Sequence, residues 1–137
     1  MKEKIFLDPN LFEFLSKKGR GFQSVLDIIK DKKNFITDVK GLQEIVYRYT
    51  LIGETEKGYE NAMKVRNEIE IASVTKKDLD TQGSLLQRYP NAKPRELLHV
   101  AVMINNGVKK IVCSPESNYK EIEDITVENI IAESFDI

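Results

Sequence analysis

The sequence predicts an α/β protein of three layers, with helices on both faces of a central, mostly parallel β-sheet of four or five strands. Short apolar runs of strand length alternate along the chain with longer segments of helical period, and such alternation builds parallel sheets through helical crossovers. No internal repeat, low-complexity tract or Pro/Ser-rich linker interrupts the pattern, so residues 1–137 are expected to form one domain. In sheets of this kind the loops at the carboxyl ends of the strands meet in a crevice where ligands bind. Those loops are therefore where candidate functional residues are sought.

Each element has its own signal. "KIFL" (4–7) is a short apolar strand, and "LFEFLSKK" after it carries Leu11, Phe12 and Leu15 at helical spacing until "GRG" stops it. "FQSVLDIIK" repeats the helical period. "NFIT" (34–37) reads as a second strand, and "DVKGLQEIVYRYTLIG" as a helix with Leu42, Ile45, Val46 and Tyr49 on one face and Asp38 as N-cap. A charged helix, "ETEKGYENAMKVRNEI", leads to the strand "IEIASV" (69–74). "TKKDLDTQGSLLQRY" opens with Thr75 as cap and Asp78 three residues on, a carboxylate variant of the capping box. "NAKPRELLHVAVMINNG" has Pro94 in its first turn and Gly107 just past its end. "KKIVCS" (109–114) is the most apolar strand, and "DITVENI" supplies a last one. Gly53, Gly58 and Gly107 read as helix stops.

Composition narrows the classes of function. Lys and Arg number 21 and Asp and Glu 22, so a net charge of -1 gives no bulk attraction for nucleic acid, and any polyanion must be held by a local patch. A lone Cys113 forbids an intrachain disulfide, and its place within "IVCS" suits a buried small residue better than a nucleophile. No apolar run approaches the roughly 18 residues of a membrane span, and Asp8 breaks the first apolar run before a signal-peptide core forms. A cytoplasmic location without a membrane partner is expected. "GRG" lacks the Lys-Ser/Thr of a phosphate loop and follows a helix rather than a strand.

The acidic residues are placed unevenly. Asp8 closes the first strand, Glu44 lies in the second turn of the helix after "NFIT", Glu96 in the first turn of "PRELLHVA", and Glu116 just beyond "KKIVCS". Glu44 and Glu96 interrupt otherwise apolar helical faces, where carboxylates are rare unless paired with cations or metal. Four such groups gathered at strand ends would repel one another unless a divalent cation lay among them, and Mg²⁺ or Mn²⁺ suits an all-oxygen site. Acids also favour helix N-termini and solvated turns, so spacing alone leaves both readings open.

The ordered set of motifs resembles the PIN-domain ribonucleases, including VapC-like toxins of toxin–antitoxin pairs. "IFLDPNLF" is similar to that family's apolar strand ending in Asp-x-Asn, and "ITDVKGLQEIVYRY" to its strand, Ser/Thr and helical Glu. "RYPNAKPRELLHVAVMINNGVKKIVCS" resembles its Pro-Arg-Asp helix running into a strand, and "CSPESNYKEI" its Ser-x-Asp-x-Asp-Phe turn. The resemblance implies a Mg²⁺- or Mn²⁺-dependent endoribonuclease with Asp8, Glu44, Glu96 and Glu116 as catalytic residues. Asp8, Glu96 and Glu116 would be the metal ligands. Asn10, Thr37, Ser114 and Asn118 would support them, and Arg95, Lys93 and Arg88 would grip RNA phosphates, with Lys17, Lys18 and Arg20 as further candidates. It also implies an antitoxin protein as inhibitor and a homodimer. Glu96 and Glu116 stand where the family usually has Asp, and Asn118 where it has a charged residue. Because a Glu reaches about 1.3 Å further and Mg²⁺ demands near-octahedral geometry, the alternative is a drifted, non-catalytic module that binds protein or RNA. His99, the single histidine, is expected to be a packed helix residue rather than a general base.

Overall fold

The structure is a computed structural model, and it describes residues 3–17, 19, 21–31 and 34–128. Lys18 and Arg20, two of the cations proposed for phosphate contact, lie outside these residues, as does the side chain of Lys17. The strands are β1 (Ile5–Leu7), β2 (Phe35–Asp38), β3 (Glu70–Ala72), β4 (Lys110–Val112) and β5 (Thr126–Val127). They form one sheet in the order β3-β2-β1-β4-β5, with every pairing parallel. The expected count of four or five strands resolves to five.

Strand periodicity divides the core in two. Alternate side chains on a strand point to opposite faces, so Ile5 and Leu7 of β1 enter one apolar cluster and Phe6 the other. On the first face lie α1 (Asn10–Lys17), α2 (Phe22–Lys30), α3 (Val39–Leu51) and α4 (Thr55–Glu68), which contribute Leu11, Leu15, Leu26, Ile45 and Val65. On the second lie α5 (Lys76–Arg88) and α6 (Pro94–Asn105), with Leu85, Leu97, Val100 and Met103. Chain segments moving outward from β1 to β3 use helices on one face, and the return past β1 to β4 uses the other. A constant crossover hand requires this arrangement. The direction of winding reverses between β1 and β4, and that is where a crevice opens at the carboxyl ends. No helix among the described residues is long and apolar enough to cross a membrane.

The local signals act as the sequence implies. Asp38 is both the last residue of β2 and the N-cap of α3, its Oδ1 accepting from Gly41 N–H at 2.7 Å. Thr75 and Asp78 form the reciprocal capping box of α5. Pro94 opens α6, and Gly107 follows its end at φ +70, a left-handed conformation that a Cβ would oppose. Gly53 ends α3 in the same way at φ +76.

Gly58 departs from expectation. It does not stop a helix but lies buried inside α4, where an added Cβ would come within 2.6 Å of Tyr49 Cβ on α3. Periodicity cannot distinguish a glycine that ends a helix from one that admits a neighbour. Gly58→Ala should therefore lower stability by about 1–3 kcal/mol through overpacking, despite a helix-propensity gain of about 1 kcal/mol. Gly83→Ala, at an exposed position of α5 where a Cβ meets nothing within 4 Å, should raise stability by up to about 1 kcal/mol. Urea denaturation of the two variants should give shifts of opposite sign.

Candidate functional site

Three strands deliver side chains to the crevice. Asp8 follows β1 directly and is fully buried, its backbone N–H donating to Val112 O at 3.0 Å, so the strand's end is fixed against β4. Thr37, near the end of β2, donates from its hydroxyl to Leu7 O at 2.8 Å and ties β2 to the residue before Asp8. Gly41, in the first turn of α3, completes the support. A Cβ there would stand 2.8 Å from both Pro9 Cγ and Thr37 Oγ1, so only glycine lets α3 seat against the Asp8–Pro9 turn without displacement.

Helices bring the other acids. Glu96, in the first turn of α6, is buried, and Glu44, in α3, has a side chain only 11% exposed. One carboxylate oxygen of Asp8, one of Glu44 and a ring nitrogen of His99 lie within 4.8 Å of one another. Glu96 and Glu116 line a polar cavity of about 240 Å³, together with Asn10, Glu13, Arg48, Lys93, Arg95 and Ser114. Glu116 itself is exposed, on the loop after β4, where its backbone N–H donates to Ser114 Oγ at 3.0 Å. Asp8 and Glu44 thus meet His99 at depth, with Glu96 near enough for its charge to act on Asp8 and Glu116 on the exposed loop.

His99 explains how such crowding is sustained. Its Nδ1 lies 2.7 Å from Asp38 Oδ2 and its Nε2 2.9 Å from Glu44 Oε1, all within the protein interior. Burial alone would push the imidazole's pKa down, but hydrogen bonds to Asp38 and Glu44, and the charges of both, outweigh it and raise the pKa to about 10. The ring is therefore an imidazolium that donates from both nitrogens. A nitrogen already donating has no lone pair for a metal, so His99 serves as an internal counter-ion rather than a ligand. Sequence reading placed His99 as a packed helix residue, which it is, and read Asp38 only as a cap. The bridge between them was missed, although the lone histidine three residues after Glu96 marks the same helical face.

Asp8 feels the opposite balance. Burial raises its pKa, the His99 charge lowers it, Glu44 and Glu96 raise it and the Asn10 N–H lowers it, leaving the carboxyl at about 7. Its Oδ1 accepts from Asn10 N–H at 3.3 Å, while its Oδ2 is buried with no hydrogen-bond partner among the described residues. An unsatisfied buried carboxylate oxygen among other acids fits a divalent cation, which prefers oxygen donors and offsets their repulsion.

The remaining candidates take varied positions. Asn10 meets Asp8 through its backbone, and its side-chain Oδ1 instead accepts from Arg48 Nη2, whose guanidinium also pairs with Glu13. Arg48, one turn beyond Glu44 on α3, was not singled out from sequence. Its pKa is lowered by desolvation and by the neighbouring charge of Arg95. Lys93 and Arg95 line the cavity and make no ion pair among the described residues. Arg88 is engaged away from the cavity, bound at 2.7 and 3.2 Å to the two carboxylate oxygens of Asp124. Asn118 is exposed and precedes the 3-10 turn Tyr119–Glu121. The Cys113 thiol is raised to about 11, chiefly by burial, and is a poor nucleophile.

These opposed charges give the metal-free protein a defined pH profile. Asp8 binds its proton more tightly folded than unfolded, so stability is lost as pH rises from about 4 to about 7, by roughly 2–4 kcal/mol. The His99 imidazolium stabilises fully below about pH 6.5, and that contribution is lost as pH rises toward about 10. Denaturation midpoints measured across pH 4 to 10 in EDTA should fall throughout, and Asp8→Asn should remove the part below pH 7.

No protein-family model and no curated protein matches the sequence. Solved structures match its fold. VapBC2 from Rickettsia felis bound to a promoter DNA fragment aligns with TM-score 0.66 at 16% identity, over 90% of this chain and 96% of that one. DNA-bound VapBC from Salmonella typhimurium aligns with TM-score 0.66 at 15% identity, over 93% and 98%. The Mycobacterium tuberculosis toxin VapC20, which cleaves the sarcin–ricin loop, aligns with TM-score 0.61 at 16% identity, over 79% and 87%. With a five-stranded parallel sheet, helices on both faces and buried carboxylates at the carboxyl ends of its strands, the chain has the fold of the PIN-domain VapC toxins.

Proposed function

We propose that this chain is a divalent-metal-dependent endoribonuclease that hydrolyses RNA phosphodiester bonds, acting as the toxin of a toxin–antitoxin pair. The observation that carries the reading is Asp8: fully buried, beside Glu44 and Glu96, with one carboxylate oxygen unsatisfied. Asp8, Glu96 and Glu116 would hold Mg²⁺ or Mn²⁺. When bound, the ion would supply a water of lowered pKa and neutralise charge on the scissile phosphate.

The chain's own residues do the positioning. His99, itself held by Asp38, fixes Oε1 of Glu44. The Asn10 N–H and the Thr37 tie to Leu7 fix the Asp8 turn. Arg95 and Lys93, which line the cavity with Glu96 and Arg48, would hold RNA phosphates. Ser114 holds the loop bearing Glu116.

An antitoxin partner is part of the proposal. An apolar groove of about 340 Å³, lined by Phe12, Phe22, Ile45, Tyr49 and Ile52, shares Glu13 and Arg48 with the acidic cavity. An amphipathic segment with a basic end could cover both. A homodimer, expected from the resemblance, belongs to the same proposal.

Purified protein should cleave single-stranded RNA in Mn²⁺, and Asp8→Asn should reduce the rate by about 10²-fold or more. Equal activity of the two proteins, or none in either, would leave the non-catalytic binding module as the reading. In parallel, Mn²⁺ at about 100 times its dissociation constant should stabilise the wild type by about 2.7 kcal/mol. Thermal unfolding should show Asp8→Asn losing that increment and Glu116→Gln shifting it to higher Mn²⁺ concentration.

A further inference from the structure

Asp8, Glu44 and His99 form a triangle with the dimensions of a cation site, one carboxylate oxygen from each acid and a ring nitrogen all lying within 4.8 Å of one another. The corner that His99 occupies is nevertheless closed to a metal. Its Nδ1 is 2.7 Å from Asp38 Oδ2 and its Nε2 2.9 Å from Glu44 Oε1. An ionised carboxylate only accepts hydrogen bonds, so a ring held between two of them donates from both nitrogens and carries a positive charge. The ring is also fixed in place, 1% exposed and packed against Phe6 with ring centroids 5.3 Å apart. A cation supplied by the chain itself therefore bridges Asp38, at the end of β2, to Glu44 on α3.

That cation limits what else can bind. A divalent ion on Glu44 Oε1, at about 2.1 Å, would lie within about 5 Å of His99 Nε2. Like charges at that range in a buried site repel strongly, and the ion would compete with the ring for the same oxygen. Asp8 Oδ2 differs, being buried with no hydrogen-bond partner among the described residues. Burial disfavours the Asp8 carboxylate, and the His99 charge is the largest influence opposing it. The ring thus favours an ionised Asp8, ready for a metal, while denying Glu44 to one. Sites built for two metals use ions about 3.5–4 Å apart to clamp both oxygens of a phosphoryl displacement. Here one of the positive charges is already part of α6.

We propose that the His99 imidazolium stands in place of a second metal ion, so that the acidic site takes a single divalent cation, on Asp8, Glu96 and Glu116, and Glu44 binds none. The proposal deepens the metal-site reading above and rests on it, since the one ion is the ion assigned there. Glu44 acts as the partner of the ring rather than as a ligand.

Metal stoichiometry tests this. Titration with Mn²⁺, followed by electron paramagnetic resonance of the free ion, should give one ion bound per wild-type chain. His99→Gln keeps a polar side chain and removes the charge, so its stoichiometry should double, and adding Glu44→Gln should abolish the second site. Two ions on the wild type, or still one on a folded His99→Gln, would overturn the proposal. Nitrogen-15 NMR of the wild-type ring decides the matter even where His99→Gln fails to fold. Both ring N–H protons should persist with and without saturating Mg²⁺, and loss of either on adding Mg²⁺ would make His99 a ligand and overturn the proposal. A wild type that binds no Mn²⁺ would overturn the metal-site reading and this proposal with it, a result distinct from a stoichiometry of two.

Discussion

The arrangement at the carboxyl ends of the sheet depends on one ion triplet, Asp38–His99–Glu44. A buried carboxylate is costly unless something offsets its charge. Here a single imidazolium, on α6, offsets two at once, one at the end of β2 and one on α3. The bridge joins helices from opposite faces of the sheet at the carboxyl end of β2. Removing His99 would leave Asp38 and Glu44 buried without their shared counter-ion. The same triplet also determines how much negative charge Asp8 experiences. Without His99, only the Asn10 N–H would oppose the burial and the charges of Glu44 and Glu96 that raise its pKa.

From this constraint the division of labour among the acids follows. Glu44 is held at one oxygen, Asp38 at both, and neither is free to reorganise. Asp8 keeps one carboxylate oxygen without a partner among the described residues, and Glu116 reaches the cavity lined by Glu96 from an exposed loop. The cations are sorted likewise. Arg48 is latched to Asn10 and Glu13 and partly desolvated, whereas Lys93 and Arg95 stand on the cavity wall without ion-pair partners among the described residues. Acids and cations thus share the walls of one cavity, Glu13, Glu96 and Glu116 with Arg48, Lys93 and Arg95.

Much of this was legible from local pattern. The five strands, the six helices and the cap residues Asp38, Thr75 and Pro94 all rest on short-range rules, namely hydrophobic period, side-chain oxygens near free N–H groups, and the fixed φ of proline. The acids at strand ends were also visible, because a carboxylate that interrupts an apolar face needs an explanation. Gly58 was misread because a glycine that ends a helix and one that admits a neighbouring tyrosine look alike in sequence. In sequence Arg88 is a candidate for RNA phosphates, because Asp124, which binds it, lies 36 residues away along the chain. Asn10 reaches Asp8 through its backbone N–H, while its side-chain Oδ1 accepts from Arg48.

The sequence by itself determined the α/β layering and the cap residues Asp38, Thr75 and Pro94, since each follows from interactions within a few residues. Tertiary structure alone decided which of those carboxylates share a counter-ion, that Asp38 is a cap and an ion partner at once, and that Asp8 Oδ2 and Tyr119 Oη lack partners among the described residues. The physical reason is range. Capping and periodicity act over one or two helical turns, whereas charge compensation and hydrogen-bond satisfaction are settled between residues brought together from 38, 44 and 99 only after the sheet has formed.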